Sequence, residues 1–209
     1  MVIFENLYGY VDISITDGSA VAVNLSGGAD SALLLWMVGM SVVEQDIIIK
    51  VIDDHDQKIN DDYFKEIISI IKSTFPETTF KYSFTLTDKS IPLTELLNSM
   101  PFGASQIFTG VTCNAPKEVR IELGIDEGRE LERDPDKIPF PDSYKGQFWP
   151  MRFTDKRFLR QMCLDHDLGW IHDLTWTCSA VSNHDRPCKV CVDCIERKQL
   201  MGTFDYGEI

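Results

Sequence analysis

Two groups of residues in this chain have the types and spacing to do chemistry. The first is Ser26-Gly27-Gly28-Ala29-Asp30-Ser31, and the second is Cys178, Cys188, Cys191 and Cys194. In the first, two glycines let the backbone approach phosphate oxygens closely. Ser26 and Ser31 can donate hydroxyl hydrogen bonds to the same oxygens, while Asp30 is repelled by phosphate unless a divalent cation lies between them. Asp30 is therefore the candidate for positioning Mg²⁺. The plainer alternative is that Gly-Gly with Ser and Asp makes a turn and caps a helix.

The spacing Cys178-x9-Cys188-x2-Cys191-x2-Cys194 offers four thiolates, the number that a closed tetrahedral Zn²⁺ site requires. Zinc is the expectation. Iron–sulfur ligation also uses C-x2-C-x2-C runs, and isolated cysteines are often small buried hydrophobes, so both alternatives stay open. The residues from Ser182 to Pro187 are polar and turn-forming, as a short loop around a metal should be. His184 could replace one cysteine, although four cysteines already complete a site.

The first group needs a strand before it and a helix after it. Val21-Ala22-Val23-Asn24-Leu25 is a short apolar run, and Ala32 to Met37 are good helix formers. The loop thus falls at a helix N-terminus, where unpaired N–H groups and the helix dipole attract an anion. Tyr10 to Thr16 alternates like a half-exposed strand ending at Asp17-Gly18, and Ile47 to Ile52, Thr79 to Leu86 and Gln106 to Val111 read as further strands. Tyr63, Phe64, Ile67, Ile68 and Ile71 recur at helical spacing, Leu93 to Leu97 suits a short helix, and Asp155 to Leu168 a longer one. Strands alternating with helices predict an α/β fold: a doubly wound, mostly parallel sheet with helices on both faces and a zinc-bound C-terminal segment. A single domain over residues 1–209 is expected, with a polar insertion at 115–147 and the four-cysteine segment at 175–203. The insertion reads equally as a flap or as a solvated loop.

The loop does not match G-x-x-x-x-G-K-S/T and lacks the third glycine of a dinucleotide fingerprint. It resembles the S-G-G-x-D-S motif of the PP-loop ATP pyrophosphatases, the adenine nucleotide alpha hydrolase-like family. That resemblance implies a loop (Ser26, Gly27, Gly28, Ala29, Asp30, Ser31) that holds the β,γ-pyrophosphate of ATP while a substrate oxygen attacks the α-phosphorus. Thr175-Trp176-Thr177-Cys178, followed by Cys188, Cys191, Cys194 and Arg197, is similar to the 7-cyano-7-deazaguanine synthase branch. The similarity spans roughly Val21 to Met201. It implies a carbon–nitrogen ligase with ATP, Mg²⁺ and Zn²⁺, taking a 7-carboxy-7-deazaguanine-like acid and ammonia to an amide and then a nitrile, as in queuosine biosynthesis.

Pro150 and Lys156 resemble a family stretch in which a proline-led turn precedes a lysine at a helix start. Lys156 could then neutralise charge developing on the α-phosphate, or be an ordinary solvated lysine. Two segments differ from that branch: Ile52-Asp53-Asp54-His55-Asp56-Gln57 after the second core strand, and the residues after Thr109-Gly110-Val111. These differences keep open an enzyme that adenylates a different acid. Asp53, Asp54, His55 and Asp56 could line the adenosine pocket or bind a second cation, with a solvated acidic turn the commoner outcome. Cys113 could be a nucleophile, with a buried small side chain commoner; His166 and His172 carry no signal.

Composition bounds the partners. Thirty-three acidic against 20 basic residues give a net charge of −13, which disfavours nucleic acid and therefore tRNA thiolation on this fold. A non-catalytic nucleotide-binding zinc module is the remaining rival. No apolar run approaches the roughly 20 residues needed to cross a bilayer, and Met1-Val2-Ile3-Phe4-Glu5 lacks the basic start of a secretion signal. A cytoplasmic protein without membrane partners is expected, and a homodimer is compatible with these features.

Overall fold

The computed structural model describes residues 1–16, 20–42, 44–53, 61–86, 99–122, 124, 146–178 and 187–202. The chain begins with an antiparallel hairpin, β1 (Val2–Asn6) and β2 (Gly9–Ile13), in which Phe4 pairs with Val11. Alternation puts Phe4, Val11 and Ile13 into the core and leaves Ile3 and Tyr10 exposed. The sequence pattern anticipates the second of these strands. The first was missed because only one of its five residues is buried.

Next come β3 (Ala20–Leu25), α1 (Ala29–Ser41), β4 (Ile47–Asp53), α2 (Asp61–Thr74), β5 (Phe80–Leu86) and β6 (Ala104–Thr109). They are followed by α3 (Lys117–Glu122), β7 (Gln147–Phe148), α4 (Lys156–Asp165), α5 (Gly169–Leu174) and α6 (Val192–Met201). Five strands form one sheet in the order β5-β4-β3-β6-β7, each parallel to its neighbour. The mostly parallel α/β architecture expected from alternating strands and helices is therefore present. The order reverses between β3 and β6, and such switch points are where open parallel sheets leave a crevice for ligands.

Strand alternation sorts the core. Val21, Val23, Leu25, Ile47, Ile49, Val51 and Phe108 face the main cluster with α1, whereas Ala22, Ile48 and Ile107 form a smaller cluster on the other face. Ten residues of α1 are buried, so this helix is apolar nearly all round, as a helix enclosed by other elements must be. In α2, Phe64, Ile67 and Ile71 supply one buried stripe.

The helix expected over Asp155–Leu168 stops at Asp165, because Asp167 turns into the left-handed region (φ 54) and Leu168 is the N-cap of α5. Within the expected polar insertion, Ala115 and Arg120 are buried, and Gln147 pairs with Ile107 as part of the sheet. Residues 125–145, Asp17-Gly18 and Leu93–Leu97 lie outside the described residues. No helix among the described residues is long and apolar enough to cross a membrane.

Candidate nucleotide site and four-thiol cluster

The loop from Ser26 to Ser31 begins at the carboxyl end of β3, the strand on one side of the switch point. Gly27 has φ 79, the left-handed region that favours glycine, and Gly28 is the N-cap of α1 with no side-chain capping bond. A glycine N-cap brings no side chain over the start of the helix, the end where N–H groups and the helix dipole attract an anion. Ser31 ties the turn together. Its hydroxyl donates to the Gly28 carbonyl at 2.9 Å, accepts from the Ser26 N–H at 3.2 Å and lies 3.2 Å from Ser26 Oγ.

Gly110, just beyond β6, closes the other side of the switch point. A Cβ there would lie 2.7 Å from the Asp30 carbonyl oxygen and 2.9 Å from Ser31 N, so β6 can end against the first turn of α1 only with glycine in place. Asp30 then meets two partners from distant segments: Lys156 forms an ion pair with Oδ1, and Thr112 donates its hydroxyl to Oδ2 at 2.9 Å. The side chains of Lys156 and Asp30 are 5% and 15% exposed. Lys156 is the first residue of α4. Asp155 caps α4 by accepting from the Arg157 N–H and is also paired with the Arg157 guanidinium at 2.6 Å. The Asp155 hydrogen bonds raise the Arg157 pKa above its ordinary value.

Sequence reasoning thus named Asp30 and Lys156 separately, one for Mg²⁺ and one for phosphate charge, and the fold pairs them with each other. Thr112 was missed, having no local pattern to mark it. Lys50 was missed as well, although a lysine inside Ile47-Ile48-Ile49-Lys50-Val51 is a visible signal. It is buried on the face of β4 away from the main core, donates to the Ser99 carbonyl and hydroxyl at 2.8 Å each, and burial pushes its pKa down to about 8. In the adjoining strands Asn24 donates to Thr109 at 2.7 Å, so a buried polar row lies beneath the loop.

The four cysteines converge. Their Sγ atoms all lie within 4.8 Å of one another, with Cys178–Cys191 at 3.9 Å and Cys188–Cys194 at 4.0 Å. Tetrahedral ligation at a Zn–S distance of about 2.3 Å separates the sulfurs by roughly 3.8 Å, so one ion fits this donor set. A multi-iron core interposed between the thiolates requires them further apart. Backbone N–H groups of Cys188, Cys191 and Cys194 point at Cys178, Cys188 and Cys191 sulfurs at 3.4, 3.3 and 3.5 Å. Amide bonds from Val190 and Cys191 draw the Cys188 thiol down to about 7, and burial pushes Cys194 up. Among the described residues no other group of three or more His, Cys, Asp or Glu converges in this way.

No protein-family model matches the chain, and no curated protein does. Among solved structures the chain is similar to the U34-tRNA thiolase NcsA from Methanococcus maripaludis with its 4Fe-4S cluster. The two are 12% identical with a TM-score of 0.48, and the match covers 90% of this chain but 66% of that one.

The remaining sequence candidates are dispersed. Cys113 is half-buried and donates its N–H to the Thr154 carbonyl at 2.8 Å. Cys163 is buried, which pushes its thiol up to about 12. His166 packs against Trp36, and His172 has a lowered pKa, chiefly through burial. Pro150 sits in the turn before α4, and Asp53 ends β4. Asp54, His55, Asp56 and His184 lie outside the described residues.

Proposed function

We propose that the chain is a PP-loop enzyme that binds ATP at Ser26–Ser31 and cleaves it to AMP and pyrophosphate while adenylating a small acid. One observation carries this reading: a helix N-terminus without a side-chain cap, flanked by the Asp30–Lys156–Thr112 cluster, lies where the strand order reverses. Amide hydrogens at the start of α1 hold the terminal phosphates, and a carboxylate oxygen of the acceptor attacks the α-phosphorus. The new P–O bond forms as the α–β bridging bond breaks, and pyrophosphate leaves with the electron pair. Lys156 offsets negative charge growing on the α-phosphate, held in place by Asp30. The protein's share is positioning and charge stabilisation.

The acceptor we favour is a 7-carboxy-7-deazaguanine-like acid. Ammonia displaces AMP from the acyl-adenylate to give the amide, and a second activation of the amide oxygen, followed by loss of AMP and protons, gives the nitrile. The Thr175–Cys178 segment and the cysteine spacing support this branch, and the acidic chain counts against a nucleic-acid acceptor. The sulfur spacing supports Zn²⁺ at Cys178, Cys188, Cys191 and Cys194, where it would act as a structural staple; Mg²⁺ would arrive with ATP. Cysteines not joined in disulfides suit a reducing, cytoplasmic setting.

Incubation with ATP, Mg²⁺, ammonia and 7-carboxy-7-deazaguanine tests the reading. AMP together with nitrile is the expected result. AMP without nitrile moves the assignment to a different acid, and absence of AMP with any acceptor overturns the enzymatic reading.

A further inference from the structure

Four residues, Thr175 to Cys178, touch both centres. Trp176 donates its backbone N–H to the Gly27 carbonyl at 3.0 Å, and its indole Nε1–H to the Cys178 carbonyl at 2.8 Å. The residue that grips the phosphate loop therefore also braces the turn into the first thiolate. Beneath this strap lies Arg197 of α6, fully buried. Its Nη1 donates to Thr175 Oγ1 at 3.1 Å and Thr177 Oγ1 at 2.8 Å, and its Nη2 to the His172 carbonyl at 2.6 Å. A planar fork fixes the direction of every one of these bonds, which the single point charge of a lysine does not. Arg197 lies three residues beyond Cys194, so the helix that carries the last thiolate also carries this clamp.

What the strap fixes is the peptide between Gly27 and Gly28. In a trans peptide the carbonyl and the following N–H point in opposite directions, so anchoring the Gly27 carbonyl on Trp176 turns the Gly28 N–H away from the strap. A peptide flanked by two glycines is also the one in the loop most free to flip. We propose that Arg197 is a positioning residue for the nucleotide loop. Through Thr175 and Thr177 it holds Trp176 where its amide locks the Gly27–Gly28 peptide with the Gly28 N–H presented to phosphate. This rests on the reading of Ser26–Ser31 as the ATP site. A metal held by the four cysteines would brace the same strap from its other end, at Cys178.

The test uses the full chain with its metal and measures Mg-ATP affinity by calorimetry, metal content and melting temperature. Thr177→Val keeps the shape but removes one acceptor of the Arg197 fork, and Thr177→Ser keeps the acceptor. The expected result is about tenfold weaker Mg-ATP binding for Thr177→Val at unchanged metal content, with native affinity in Thr177→Ser, the size that loss of one charge-assisted hydrogen bond allows. Arg197→Met should weaken binding at least as much; if it fails to fold, the Thr177 pair decides. Native affinity in Thr177→Val, an equal loss in Thr177→Ser, or loss of the metal from Thr177→Val overturns the proposal. Failure of the unaltered protein to bind Mg-ATP overturns the site itself, a different result from any of these.

Discussion

The phosphate loop and the thiol cluster lie at the two ends of one strap, yet different forces shape them. Ser26–Ser31 is held by neighbours that need no ligand: buried β3 behind it, the Ser31 hydroxyl across it, and Gly110 against the first turn of α1. The cysteines hold one another through N–H bonds to sulfur, a weak acceptor. Apolar packing at their turn is thin, since Lys189 and Val190 are exposed and Lys189 adopts φ 64. A loop shaped by the sheet should keep its form when empty, whereas a turn shaped by thiolates should depend on an ion bound to them.

The largest effect should come from that dependence. Structural zinc sites draw on the order of 10 kcal/mol from metal binding, so with the proposed zinc in place Cys178→Ser should lose it and open the C-terminal segment to protease while the sheet persists. Metal analysis and limited proteolysis check this, and an unchanged cleavage pattern would erase the contrast between the two regions. Next in size is the pair at the loop. Lys156→Ala strands a mostly buried Asp30 carboxylate, which should destabilise the fold by about 3 kcal/mol and lower turnover roughly 100-fold. Adding Asp30→Asn should restore much of the stability and none of the turnover, read from denaturant midpoints and AMP release.

The glycines separate shape from binding. Gly110→Ala drives a Cβ into the backbone of Asp30 and Ser31 and should destabilise by about 1–3 kcal/mol, as overpacking does. At Gly28 a Cβ would meet only contacts at 3.7 Å, with φ at −83. Gly28→Ala should therefore melt close to native while losing Mg-ATP affinity by calorimetry. Equal affinity would contradict close approach of phosphate to this backbone.

A pH-dependent effect concerns Lys50 beneath the loop. Its folded pKa of about 8 lies below the ordinary 10.5, so between these values the unfolded chain binds more protons and stability rises with pH. Below pH 8 burial of the ammonium weighs fully against folding; above 10.5 the penalty is gone. Lys50→Met should flatten this rise, as denaturation at pH 7.5 and 10 can show.

Repeating patterns along the chain were enough to place much of the architecture. Apolar or aromatic-rich stretches marked β3, β4, β5 and β6, and helical spacing marked α2 and α4, because a pattern local to one element needs no knowledge of the partner. The two-residue β7 and the first hairpin strand carry too few buried side chains for such a pattern. In α6 the Cys191 to Cys194 spacing reads as a ligand pair, although the Cys191 sulfur also caps the helix by accepting from the Cys194 N–H.

The candidate residues for phosphate and metal were determined by the sequence itself, since Ser26–Ser31 and the cysteine spacing are local. Only the tertiary structure decided their partners. Lys156 reaches Asp30 across 126 positions, Thr112 reaches it across 82, and Trp176 grips Gly27 from far along the chain. Local backbone preference sets the period of an element, but which charges and amides meet depends on how strands are ordered in the sheet, and that order is written in no single segment.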